Sequence, residues 1–133
     1  MNNFELCEGV CALHENIMGA AVLQQGVAIA GFSKPVTPLP NEERLKAIFF
    51  QTEIIAAIHR SNQDFYGPLL FFTAHFEGSD VLAFPLENQI GEKTILAFKV
   101  SPPYNHNELV AKVLDYLKKH APYEGNDDLL NPR

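Results

Sequence analysis

The amino-acid sequence predicts an α+β domain in which five strands form one mainly antiparallel sheet with helices packed against it. Three observations favour this fold class. Apolar residues recur at helical spacing near the N-terminus, along a central segment and again towards the C-terminus. Runs typical of strands fill the intervals, and short turn signals join them. The predicted order is helix, two strands, long helix, three strands, helix, with hairpin connections that imply antiparallel pairing.

The first two elements are a short helix and a hairpin. Asn2 and Asn3 are candidate caps for an amphipathic helix over Phe4–His14. The stretch Glu15–Phe32 reads as two apolar runs around Gln24-Gln25-Gly26, which predicts a β-hairpin. A hairpin with one wet face would alternate apolar and polar residues, and this one does not. Both of its faces therefore need a cover.

The strongest helical signal in the sequence covers Glu42–Arg60. The proline-rich stretch Lys34–Pro40 breaks regular structure before it, and Asn41 can cap the helix. Glu42 and Glu43 suit the positive end of its dipole. The segment is apolar over most of its circumference, which predicts that most of it is buried. Its two apolar faces are Leu45, Ile48, Phe49, Thr52, Ile55, Ala56 and His59, and Ala47, Phe50, Ile54, Ala57 and Ile58.

Three strands and a last helix complete the prediction. A connection over Ser61–Pro68 leads to strands at Leu69–Phe76, Val81–Leu86 and Lys93–Val100. Pro85 suits the edge or the end of a strand. Asn105 or Asn107 caps a helix that runs to about Lys119, with its apolar side inward. The inward residues are Leu109, Val110, Val113, Leu114 and Leu117.

Length and composition narrow the class of protein. The 133 residues suggest one domain over residues 1–123, followed by a polar, mobile tail over residues 124–133. The net charge of -6 argues against nucleic acid as a partner. There is no apolar run long enough for membrane insertion and no secretory signal, and two cysteines four residues apart are not a disulfide framework. We expect a soluble cytoplasmic protein.

Three stretches resemble the roadblock family of dynein light-chain and GTPase-regulator domains. They are IMGAAVLQQGVAIAGF, NEERLKAIFFQTEIIAAI, and LLFFTAHFEGSDVLAFPLE followed by TILAFKVS and a helix. The resemblance covers roughly residues 4 to 120 and implies a three-layer α/β/α domain of profilin-like shape. The central helix would cover one sheet face, and the N- and C-terminal helices the other. It also implies a dimer in which the third strands pair edge to edge and the central helices pack together.

The residue pattern independently favours an interface on the central helix. An exposed Phe50, Ile54, Ala57 and Ile58 would form an apolar patch of the kind that marks interfaces. An uncovered third strand would be an aggregation hazard, and pairing two copies across a two-fold axis removes both problems. The alternative is that the helix is buried within its own domain. The predicted interface residues are Ala47, Phe50, Ile54, Ala57, Ile58, Phe71, Thr73 and His75.

Cys7, Cys11 and His14 are the sharpest chemical constellation. Their spacing puts them on one helix face, and thiolates with an imidazole can bind zinc or copper. A structural zinc site usually draws ligands from two segments, so the favoured interpretation is that both cysteines are core residues. A thiol nucleophile with His59, His75 or His106 as base lacks any local signature. His75 could also be a pH-sensitive interface residue.

The leading functional prediction is a non-enzymatic, dimeric adaptor or regulator without a cofactor. Its partner would be a second copy or a related roadblock-like chain, and the resemblance adds a small Ras-like GTPase or a scaffold protein. The alternative is a small-molecule-sensing domain of PAS- or profilin-like shape. Its apolar pocket would lie between the sheet and the central helix, near Phe49, Phe72 and Phe84. A small-molecule enzyme ranks third, because no acid, base or nucleophile set is evident.

Overall fold

The computed structural model of the chain describes residues 1–35, 37–87 and 91–120. Its elements are α1 (Asn3–Cys11), β1 (Ile17–Gln24), β2 (Val27–Ser33), α2 (Glu42–Arg60), α3 (Gln63–Tyr66), β3 (Phe72–His75), β4 (Asp80–Glu87), β5 (Lys93–Val100) and α4 (His106–His120). The predicted element order is confirmed, with one added helical turn, α3, inside the predicted connection. The predicted tail and the end of the predicted domain at residue 123 lie outside the described residues.

The five strands form one sheet in the order β2-β1-β5-β4-β3, and every neighbouring pair is antiparallel. The predicted fold class is therefore confirmed. Ala21 shows the register at the centre of the sheet, because it lies opposite Gly31 on β2 and Ala97 on β5. β2 and β3 are the two edge strands.

Helices lie on both faces of the sheet, and they cover most of β1, whereas β2 remains largely exposed at the edge, with Val27 and Ile29 52% and 39% exposed. On one face, α1 and α4 enclose the larger core, to which Leu6, Val10 and Val113 contribute. On the other face, α2 lies over a smaller core around Ala56 and Leu23. The three-layer α/β/α arrangement follows directly from these two clusters.

The hairpin turns where the sequence indicates. Gln25 and Gly26 both have positive φ, at 52° and 83°. Positive φ at both central residues is the signature of a type I′ turn, whose twist matches that of the flanking strands. The two-residue turn therefore fixes the register of β1 against β2.

α2 has the predicted bounds, but its predicted burial is wrong. The Asn41 side chain accepts a hydrogen bond from the backbone N–H of Arg44 at 2.8 Å, so the predicted cap is present. Yet Ala56 is the one buried residue that the described chain places on this helix. The sheet contacts only one stripe of a helix, and no other element among the described residues covers the opposite side. The second apolar face is left exposed.

The short N-terminal helix ends earlier than predicted. Asn2 caps it, with a reciprocal bond between its side chain and Glu5. The helix stops at Cys11, and His14 lies beyond it, where its Nδ1 accepts a hydrogen bond from the Asn16 backbone N–H at 2.9 Å. The local turn around His14 thus replaces the last predicted helical turn.

The third strand begins three residues later than predicted, at Phe72. The backbone N–H of Leu69 donates to Oε1 of Gln63 on α3 at 2.7 Å, so it is engaged before the strand begins. The Asn105 side chain caps α4 by accepting from the Glu108 backbone N–H at 2.9 Å. Of the two predicted caps, Asn105 is therefore the one that the helix uses.

Candidate functional site

The exposed side of α2 carries a continuous apolar surface, which we call the outer stripe: Ala47, Phe50, Ile54, Ala57 and Ile58. Phe50, Ile54 and Ile58 are 55%, 43% and 57% exposed. At 3.6 residues per turn these positions lie roughly 80–180° around the helix from Phe49, which packs on the sheet, and Phe50 is at the near edge, beside the hairpin turn at Gly26. Exposed large apolar side chains aligned on one helix face are typical of an interaction surface.

Apolar side chains also stand out beyond the end of α2. Phe65 and Tyr66 on α3 are 81% and 80% exposed, and their rings meet edge to face with centroids 4.8 Å apart. Leu70, just before β3, is exposed as well. The prediction of a plain connection missed this surface. The signal was the run FYGPLL, in which large apolar residues crowd a connection that should be polar.

The predicted interface residues on the third strand lie apart from the outer stripe. Thr73 is opposite Leu82 in the β3–β4 register, so it faces the side of the sheet that carries α1 and α4. Its Oγ1 lies 3.0 Å from Nε2 of His106 on α4. Phe71 stacks on Phe84 of the same core, at 5.5 Å between ring centroids. β3 is nevertheless an open edge, because only β4 pairs with it among the described strands.

His75 belongs to a polar cluster at the end of the edge strand. Its Nδ1 lies 2.5 Å from Oδ1 of Asp80, and Tyr104 donates its hydroxyl to the other carboxylate oxygen. Asp80 is buried. The hydrogen bond from Tyr104 lowers the pKa of Asp80 below its usual value; burial opposes this effect, and the His75 bond and the charges of His75 and His106 assist it. Burial and the Asp80 carboxylate raise the pKa of Tyr104.

Cys7 and Cys11 lie in the core between α1 and the sheet, where both are almost fully buried. Burial raises the pKa of Cys7 to about 12 and that of Cys11 to about 11. His14 lies outside their helix. Within residues 1–35, 37–87 and 91–120, no three His, Cys, Asp or Glu side chains are grouped so that they could hold a metal ion.

The three phenylalanines of the alternative, ligand-sensing prediction do not line one pocket. Phe49 and Phe72 pack beside the α2 cluster, whereas Phe84 lies in the core on the opposite face of the sheet. The described chain has one cavity of about 270 Å³ beside His59 and Tyr66 and another of about 310 Å³ beside Asp80. Neither lies between the sheet and α2 at the predicted position.

None of the helices in the described part of the chain has the length and apolar character that would let it cross a membrane.

The element order and the antiparallel sheet define a small α+β domain with helices on both sheet faces and an exposed apolar face on α2. No protein-family model matches the sequence, and no curated protein matches it. Solved structures do. The Roadblock/LC7 domain from Streptomyces avermitilis superposes with a TM-score of 0.68 at 12% identity, over 92% of this chain and 98% of that one.

Two further structures are similar. The gliding protein MglB from Thermus thermophilus gives a TM-score of 0.61 at 13% identity, over 88% of both chains. A structure described as MglB with tetrameric arrangement gives 0.65 at 16% identity, over 90% of this chain and 88% of that one. The chain therefore has the roadblock fold, as the sequence predicted.

Proposed function

We propose that this chain is a non-enzymatic cytoplasmic adaptor that dimerises through the outer stripe of α2 and the β3 edge. The partner in the dimer is a second copy or a related roadblock-like chain. The observation that carries the proposal is the exposure of Phe50, Ile54 and Ile58 on one helix face. The tetrameric arrangement in which the similar MglB was described supports self-association as a property of this fold.

The free energy that burial of the outer stripe contributes to dimerisation can be set on a rough scale. Fully burying a Phe or Ile side chain is worth about 1.5–3 kcal/mol, and these side chains are already about half covered in the single chain. Association costs roughly 4–15 kcal/mol in lost translational and rotational freedom. Two copies of the stripe therefore give a weak dimer by themselves. Pairing of β3 edges, with its backbone hydrogen bonds, supplies the additional contacts that the proposal requires.

The side chains of the predicted β3 interface take a supporting part in this proposal. Phe71 and Thr73 are engaged with Phe84 and His106 inside the chain. In an edge-to-edge pair, the strand contributes its backbone groups, and His75 contributes an exposed ring at its end. Two-fold pairing joins like edges, so a single surface serves both copies.

The decisive experiment is light scattering after size exclusion over a broad dilution series. We expect a dimer that dissociates on dilution, and Ile54→Glu should yield a monomer at every concentration because it would bury a charge in the interface. Leu39→Glu is the matched control, since Leu39 is also an exposed apolar residue, at 58% against 43% for Ile54, in the loop before α2. A wild-type monomer at the highest concentration, or a dimer that Ile54→Glu leaves intact, would contradict the proposal.

We also propose that the dimer binds a protein partner, with a small Ras-like GTPase or a scaffold as the class implied by the roadblock resemblance. A regulator must bind one state of its partner more tightly than the other. The test is titration of the dimer with a small Ras-like GTPase in its diphosphate- and triphosphate-bound forms. Preference for one nucleotide state is the expected result, and equal binding to both states would exclude a regulatory role.

A further inference from the structure

The cavity of about 310 Å³ lies at the end of the edge strand, on the opposite sheet face from α2. The β3–β4 turn forms one wall, and the loop that leads into α4 forms the other. Its lining includes His75, Phe76, Glu77, Asp80, Tyr104 and His106. The volume is at the lower end of the range of small-molecule sites, roughly 300–1,000 Å³, so it suits a single side chain better than a large cofactor.

The lining of this cavity is rich in hydrogen-bond acceptors. An ionised carboxylate only accepts, so the Nδ1 of His75 is the donor in its 2.5 Å hydrogen bond to Oδ1 of Asp80. The Tyr104 hydroxyl also donates its hydrogen bond to Asp80. Pro102 and Pro103, which complete the wall, have no backbone N–H. The acceptors that remain at the cavity belong to the two carboxylates, Asp80 and Glu77, and these favour a hydrogen-bond donor as the ligand.

The carboxylates around the cavity also favour a positively charged ligand. Asp80 is buried at the cavity wall, and its two oxygens use two of about four acceptor positions. Glu77 adds a second, exposed carboxylate at the rim. No lysine or arginine is among the described residues that line the cavity. Phe76, 58% exposed, offers an aromatic face that a flat cation can stack on.

We propose that this cavity binds the guanidinium group of an arginine side chain from a protein partner. A guanidinium presents five donors in one plane and stacks on aromatic rings, which matches acceptors on several sides and an aromatic wall. A lysine ammonium is a compact point charge that requires more hydration. The site lies on the opposite sheet face from the outer stripe, but it shares His75 with the β3 edge of the proposed dimer, so its test includes a variant in which that dimer is broken.

The test is a titration of the isotope-labelled full chain with the tripeptide Gly-Arg-Gly, followed by NMR. We expect saturable shifts centred on His75, Glu77 and Tyr104, with weaker binding of Gly-Lys-Gly and none of the uncharged Gly-citrulline-Gly. Glu77→Gln should weaken binding about tenfold, since a hydrogen bond to a charged group is lost. Glu77 is exposed, so its substitution does not endanger folding.

The matched control is Glu43→Gln, which removes an exposed carboxylate on α2 and should leave binding unchanged. Equal binding of the citrulline peptide, shifts centred elsewhere, or an unaffected Glu77→Gln would overturn the proposal. The titration is repeated on Ile54→Glu. If Ile54→Glu still binds the arginine peptide, the arginine site is supported independently of the proposed dimer.

Discussion

The carboxylate of Glu53 on α2 accepts a hydrogen bond from the backbone N–H of Gly26, with 2.6 Å between Oε1 and N. This bond joins the underside of the central helix to the tip of the β1–β2 hairpin. It satisfies a backbone donor at a turn and sets the height and rotation of α2 above the sheet. The direction in which the outer stripe faces depends on this contact.

Replacement of Glu53 by Gln should lower the free energy of unfolding by about 1 kcal/mol, because a charge-assisted hydrogen bond is roughly twice as strong as a neutral one. Urea unfolding of the two proteins measures the difference. Glu43→Gln is the control, since Glu43 is exposed in the first turn of the same helix. Equal losses in the two variants would mean that the bond to Gly26 contributes nothing specific.

The turn glycine should be hard to replace. Gly26 has φ of 83°, and a Cβ there would lie 3.0 Å from Cδ1 of Phe50. We expect Gly26→Ala to destabilise the chain by about 1–2 kcal/mol, the cost of a left-handed conformation for a residue with a side chain. Gly78→Ala offers the comparison, because a Cβ at that position would have no neighbouring atom within 4 Å. Its stability should change by less than about 0.5 kcal/mol in the same urea series.

Both cysteines should resist alkylation while the chain is folded. The thiolate is the reactive form, and burial raises the pKa of Cys7 to about 12 and that of Cys11 to about 11, from an ordinary value of 9.0. Iodoacetamide at neutral pH, followed by mass spectrometry, should find neither residue modified, and both modified in concentrated urea. Rapid labelling of the native chain would reopen the thiol-nucleophile hypothesis.

Asp80 should make the chain sensitive to acid. Its pKa is lower in the folded chain than its ordinary value of 3.8. The stabilisation is therefore fully present above the unfolded-state pKa and is lost as the pH falls through the lower, folded-state value. Asp80→Asn should flatten the pH dependence of stability below about pH 4. Asp64→Asn, at an exposed position on α3, should keep the wild-type profile when unfolding is followed by circular dichroism.

The elements that the sequence predicted well are those with local signals. Asn41 with two following acids sets the start of α2, and Gln25-Gly26 sets the hairpin turn. The strand over Lys93–Val100 is central in the sheet and has the predicted bounds. In each case the residues that decide the structure lie within a few positions of one another.

The parts that the sequence did not predict depend on distant contacts. The start of β3 depends on Gln63, which engages Leu69 from the preceding helical turn. The cluster around Asp80 draws His75 and Tyr104 from separate segments, and no motif marks it in one stretch of sequence. The sequence left open whether the second face of α2 is covered within the chain, because an apolar pattern reports what prefers burial, not whether the covering surface belongs to the same chain.

The small core beneath α2 has a consequence for how the chain opens. Its buried members include Ala21, Ala56, Ala83 and Ala97, whose side chains each remove little apolar area from water. We therefore expect the central helix to detach in local unfolding before α1, which packs on the larger core. A partner bound to the outside of α2 would suppress that opening. Amide hydrogen exchange along α2 would then slow when a partner binds the outer stripe, even though the backbone amides do not contact that partner.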